Sequence, residues 1–331
     1  MSSSKDRQNA VKKLKTLCLA PKIDPKVFRE KIEKTFTNAL LPNRIDWSER
    51  EFGGVMCDVL MPEVYSSKRI MLYVHGGSFV GGSRAAWRSF CASLAHASSC
   101  RLVVPEFRLA PPYQYPSSLE DVQSVFRAVY TEEQIARSLD ADSSDAMPEI
   151  IIAADGSGAS IALALVLSLK GKYRDVIKQI VLFSPWLDMS AESKHLSAKK
   201  AADDIYTADA LRRSVEFYTY PQNRSNPLVS PLLADDQTLH DFPATYIQMG
   251  EKELFLDDAE RFQARLVDNG VECQLDVWPD MMPCFQMADD CLSESHLAIE
   301  KVGHMITGRD SRRNESDTNI HIVLEKSLND Y

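Results

Sequence analysis

Four short apolar runs mark the middle of the chain, at residues 70–74, 102–104, 150–153 and 180–183, and each ends at a turn or loop. Runs without polar alternation are what buried parallel strands produce, because both faces of such a sheet are covered. Between them the apolar spacing becomes helical, over residues 87–97, 117–130 and 159–169. Strand and helix in alternation predict a doubly wound α/β sheet. After an interruption the rhythm resumes with a strand over 244–249, a helix near 258–269, a strand near 273–277 and a final helix near 291–306.

The flanks behave differently. Residues 10–19 place Val11, Leu14, Leu17 and Cys18 on one side and Lys12, Lys13 and Lys15 elsewhere, which predicts a short amphipathic helix packed onto the body of the protein. From Arg44 to Met61 the alternation about Gly53-Gly54 predicts an antiparallel hairpin. Residues 190–225 are polar and helical with an aromatic cluster at Phe217, Tyr218 and Tyr220, as expected of an insertion over the carboxyl edge of the sheet. The division expected is an N-terminal helical segment at 1–45 contributing to a cap, an α/β domain at 46–306 carrying the insertion, and a polar tail at 307–331.

Charge narrows the function. Lys and Arg total 38 against 47 Asp and Glu, a net charge of -9 that argues against nucleic acid as a partner. No apolar run approaches the length of a membrane span, and the seven cysteines are scattered with no C-x-x-C pair, so the expected compartment is the reducing cytoplasm. No His or carboxylate pair falls at ligand spacing with a third partner nearby, so neither a metal nor another cofactor is expected.

Candidate chemistry begins directly after the first parallel strand, at Tyr73-Val74-His75-Gly76-Gly77-Ser78-Phe79. Residues without side chains let backbone N–H groups point at a developing oxyanion. Glu106-Phe107-Arg108-Leu109-Ala110-Pro111, Tyr115-Pro116, Ser184-Pro185-Trp186-Leu187-Asp188, Asn226-Pro227, Ser230-Pro231-Leu232 and Trp278-Pro279-Asp280-Met281 follow. Together these resemble the hormone-sensitive-lipase group of α/β hydrolases over roughly residues 45–290. The resemblance implies an α/β-hydrolase fold and an ancestral carboxylic ester hydrolase.

The resemblance also shows what is missing. The family carries its nucleophilic Ser in a G-x-S-x-G elbow between strand and helix. Here the strand runs into Ala154-Asp155-Gly156-Ser157-Gly158-Ala159-Ser160, so that Asp155 matches the family's Asp and Gly156 falls on the nucleophile. Ser157 is one position late, where the family uses the following backbone N–H as an oxyanion donor. Matching Asp257-Asp258 to the family's acidic pair puts Glu253 on the acid position, and Met282-Pro283-Cys284-Phe285 puts Pro283 on the base. Cys284 beside the lost His is a thiol without an obvious activator.

The reading that follows is a non-catalytic protein that binds a small carboxylate or acyl ligand, or a protein partner or second copy, through the residual pocket. That pocket is expected to comprise His75, Gly76, Gly77, Ser78, Asp155, Ser157 and Gly158. The plant gibberellin receptors, which look like the same fold with an incomplete triad, are a precedent. The alternative is a weak or rerouted esterase using Ser157, Cys284 or a bound water. A dinucleotide turn at Gly156-Ser157-Gly158 is a third reading, but Ile161 stands where its last Gly belongs.

Overall fold

The computed structural model describes residues 2–37, 41–42, 44–65, 69–139, 147–199 and 202–308. Most of the polar tail therefore lies outside the described residues. The elements in chain order are α1 (Ser4–Leu14), α2 (Pro25–Phe36), β1 (Ile45–Phe52), β2 (Val55–Pro62), β3 (Arg69–Val74), α3 (Arg84–Ser98), β4 (Arg101–Pro105), α4 (Ser117–Leu139) and β5 (Glu149–Asp155). They continue with α5 (Gly156–Ser168), α6 (Lys172–Asp175), β6 (Ile177–Phe183), α7 (Lys194–Ser197), α8 (Ala208–Tyr218), α9 (Asp236–Leu239), β7 (Thr245–Gly250), α10 (Leu256–Asp268), β8 (Cys273–Trp278) and α11 (Ser293–Thr307).

The strands form one eight-stranded sheet in the order β1-β2-β4-β3-β5-β6-β7-β8. β1 and β2 are the expected hairpin, β2 meets β4 antiparallel, and every later pairing is parallel. The apolar runs of β3, β5 and β6 lie in the middle and are buried almost throughout. α5, apolar around its whole circumference, is buried along all but its last residue. A helix of that composition is stable only with neighbours on every side, which fixes it behind β5 and places its first turn at the carboxyl edge of the sheet.

The N-terminal segment departs from expectation. The first helix runs over Ser4–Leu14, with Ser3 and Asp6 closing a capping box, and a 3-10 turn follows at Lys15–Leu17, in place of one helix over 10–19. A second helix, α2, went unrecognised although its signals are plain: Asp24 caps it, Pro25 opens it, and Phe28, Ile32 and Phe36 bury one face. Arg29 of α2 donates through Nε to Val80 O at 2.8 Å and through Nη2 to Ala110 O at 3.0 Å, tying the helix to the loop after β3. From the insertion, Arg213 Nη1 donates to Ala20 O at 2.8 Å, and Tyr218 stacks on Phe79 with centroids 3.9 Å apart. Both flanks thus close over the carboxyl edge. Of the other two insertion aromatics, Phe217 packs half-buried and Tyr220 is exposed.

Candidate functional site

The corner between β5 and α5 is built by Gly156, which takes φ +47° and leads straight into the helix. A strand that must reverse into a helix within one residue needs such a left-handed step, and glycine adopts it without Cβ strain. A Cβ added at Gly156 would meet only Cys284 Sγ, at 3.9 Å. A side chain would therefore fit there, and none is present. Ser157 lies in the first helical turn, buried, with its Oγ accepting the Phe79 N–H at 3.0 Å. That hydroxyl braces the loop after β3.

The loop itself, Gly76 to Phe79, is held from three sides. Asp155 Oδ1 accepts from Trp87 Nε1 at 2.7 Å, Tyr73 Oη at 2.8 Å and Gly76 N at 3.0 Å. Ser78 Oγ donates to Leu17 O at 2.9 Å. Left-handed φ values at Gly77, Ser78 and Phe79 curl the chain back on itself. Among the described residues, the N–H groups of Gly77, Ser78 and Ser157 have no acceptor, a rare condition for buried backbone. These are the donors the corner can offer.

Four of the expected pocket residues have other duties. Gly76 spends its N–H on Asp155. The Asp155 carboxylate is consumed in bracing, because its three donors all converge on one oxygen behind the loop. Burial raises the Asp155 carboxyl to about 6 against those bonds. The His75 ring lies between Phe107 and Trp87, with centroids at 4.3 and 5.0 Å, and its Nδ1 sits 2.8 Å from Gly76 O. Burial lowers its pKa to about 4, so it is a neutral core ring. Gly158 is glycine for packing, since a Cβ would stand 2.3 Å from both Val74 O and His75 O.

On the opposite side, Glu253 is buried, and its Oε1 accepts from Ser184 Oγ at 2.7 Å and from the Gly250 N–H. Its Oε2 has no partner. Burial raises this carboxyl to about 8, so it carries a proton at neutral pH. Ser184 Oγ also accepts the Cys284 N–H at 2.8 Å, which links the acid position to the loop after β8. Cys284, with φ +55°, is the residue of that loop whose side chain reaches the Gly156 corner. Its neighbour Pro283 has no titratable group. Burial and the nearby Asp155 and Glu253 push the Cys284 thiol well above its usual value, so it stays protonated and unreactive.

A second buried imidazole is committed elsewhere. His195 in the insertion is buried, with Nε2 2.9 Å from both Trp186 Nε1 and Asp188 O and Nδ1 3.2 Å from Asp258 Oδ2. Sequence reasoning missed this buried pair, because nothing in the spacing of 195 and 258 links them. Among the described residues no group of three metal-binding side chains occurs, and no helix is long and apolar enough to cross a membrane.

Comparison with known proteins gives one consistent result. A family model described as alpha/beta hydrolase fold matches residues 71–287. The chain is 28% identical over 246 residues to an esterase of Acinetobacter venetianus, covering 74% of this chain and 77% of that one. It is 27% identical over 236 residues to an acetyl-hydrolase of Streptomyces hygroscopicus, covering 71% and 74%. A crystal structure of an esterase from the bacterial hormone-sensitive lipase family superposes with a TM-score of 0.79 at 25% identity, covering 92% of this chain and 98% of that chain.

Proposed function

Because the chain belongs to the alpha/beta hydrolase fold family, in its hormone-sensitive-lipase branch, we propose that it keeps the family's oxygen-binding loop without its hydrolytic chemistry and binds a small acyl or carboxylate ligand. The observation that carries this is the Gly156 corner. Where a nucleophile would project there is a glycine whose only close neighbour is a protonated thiol at 3.9 Å from a built Cβ, while three backbone donors beside it remain unpaired.

Acyl transfer requires a nucleophile and a base to take its proton. Ser157 cannot fill the first role from its place, since its Oγ holds the loop in position and no imidazole contacts it. Glu253 cannot fill the second. An acid in such a triad orients a histidine, and here it holds a serine hydroxyl. Losing nucleophile or base in a serine hydrolase lowers turnover about 10⁶-fold. The donors that remain would still hold a carbonyl or carboxylate oxygen, helped by the positive end of α5.

The test is steady-state hydrolysis of p-nitrophenyl acetate and butyrate by the wild-type chain and by Gly156→Ser. Both are expected to stay at the background rate, because a restored hydroxyl would have no imidazole to deprotonate it. Robust turnover by Gly156→Ser would reveal a working base and sink the proposal.

A further inference from the structure

Far from the β5–α5 corner, α4 carries two apolar faces. Val122, Val125, Phe126 and Val129 pack into the core. On the outer side Ala128, Ile135 and Leu139 recur at helical spacing, and Ile135 and Leu139 are 55% and 80% exposed. Together with the β1–β2 turn at Gly53, this face borders an open groove of about 860 Å³. Gly53 is tight against α4, since a Cβ there would stand 2.5 Å from Ser124 O, so the turn makes a fixed wall. The stretch that follows α4 in sequence, Asp140-Ala141-Asp142-Ser143-Ser144-Asp145-Ala146, has no large apolar side chain to cover the groove. An exposed apolar surface rimmed by polar residues marks a contact site.

Residues 309–331, outside the described residues, offer a match in sequence. No apolar residue occurs over 309–319, and then Ile320, Val323, Leu324 and Leu328 recur at i, i+3, i+4 and i+8. That is the spacing of one helical face, the kind that seats in an apolar groove. The place where the chain leaves the described fold agrees. Arg69, opening β3, donates through Nη1 to Ile306 O near the end of α11 and through Nε to Glu149, which opens β5, at 3.2 Å. Gly308 therefore stands at the amino edge of the sheet. α4 ends on the same edge, at Leu139, before the chain enters β5. Passing from α11, which packs on α3 at Gly303, to α4, which bonds α5 through Gln123 and Ser168, spans at most two layers of about 10 Å each. Extended, residues 309–319 reach about 36 Å.

We propose that residues 320–331 lie in the groove on α4 as an internal strap, with Ile320 near Leu139 and the segment running antiparallel to the helix. Entry from the amino edge sets that direction. It carries Asp330 towards Arg127, an exposed guanidinium with no hydrogen bond or ion pair among the described residues. A tethered segment meets the groove at an effective concentration on the order of millimolar, which favours it over a second copy of the chain.

The experiment replaces Leu328 of the full chain with the photoreactive p-benzoylphenylalanine, irradiates the protein and maps the products by mass spectrometry. A cross-link into residues 124–139 on a species of monomer mass is expected. The same cross-link at twice that mass would assign the groove to a second copy and overturn the strap. A cross-link elsewhere, or none, would overturn it too. Charge reversal supplies the second arm. Arg127→Glu, on the surface and outside the core, is expected to lower the cross-link yield about two- to fivefold, and Asp330→Arg added to it should restore the yield. A yield unchanged by Arg127→Glu would overturn the antiparallel placement.

Discussion

The two sides of the β5–α5 corner have been treated in opposite ways. On the loop side Gly76, Gly77 and Gly158 stand where a Cβ would come within 2.4, 2.3 and 2.3 Å of a neighbouring atom. On the other side Gly156 has a neighbour only at 3.9 Å, and the loop after β8 presents a thiol and a proline. The donors of the loop side are therefore part of how the sheet and α5 fit together, whereas the positions of Gly156 and Pro283 carry no side chain that the fold leans on. Reactive side chains can be lost at small cost in stability, and the oxygen-binding backbone cannot. On the proposed reading, that difference is how a hydrolase architecture can outlast the loss of its triad.

Stability measurements test this contrast most strongly at the glycines. Gly158→Ala forces a methyl into two backbone carbonyls and is expected to destabilise by on the order of 4 kcal/mol. Gly156→Ala meets only a backbone conformation that disfavours Cβ and is expected to cost about 1 kcal/mol. Chemical denaturation of both variants measures the gap. Equal losses would mean that the corner is as tightly packed as the loop.

A second contrast is in pH. Glu253 holds its proton up to about pH 8 in the folded chain against an ordinary value of 4.5, so the native state binds a proton that the unfolded state has released. Its contribution is complete below pH 4.5 and is lost as the pH rises through 8. Asp155, raised from 3.8 to about 6, acts with the same sign at lower pH, and His75, lowered from 6.5 to about 4, acts with the opposite sign. Between pH 6.5 and 8 only Glu253 of the three is in its window. Glu253→Gln should therefore flatten the fall of Tm across that interval. An unchanged slope would show the carboxyl to be ionised in the folded chain.

A loss well below that at Gly158 is expected at Ser157. Its hydroxyl accepts one buried N–H from Phe79, so Ser157→Ala should lower stability by about 1–2 kcal/mol. A loss near zero in a denaturation experiment would mean that the loop does not depend on that bond.

Much of the architecture was legible because it rests on period and composition. The apolar runs of β3 to β6 and the all-apolar α5 could hardly be anything but buried strands and a buried helix. The left-handed step at Gly156 lies where the strand-to-helix turn was expected. What remained hidden depends on contacts between distant residues. That Asp155 and His75 brace the loop from behind, that Gly76 has spent its N–H and Ser78 has not, and that Cys284 is the side chain reaching the corner all follow from tertiary packing. Spacing along the chain carries no trace of those directions. The overlooked α2 was a different failure, for Asp24-Pro25 and the Phe28, Ile32, Phe36 stripe were open to reading.

The central claim is that no nucleophile is armed at this corner, and covalent labelling tests it without assuming a substrate. The purified chain would be incubated with an excess of a fluorophosphonate, which phosphonylates activated serines, and examined by intact mass spectrometry alongside Ser157→Ala. The account predicts unmodified mass for both. A single adduct on the wild-type chain that disappears in Ser157→Ala would contradict it, and would return the protein to the working esterases of its family.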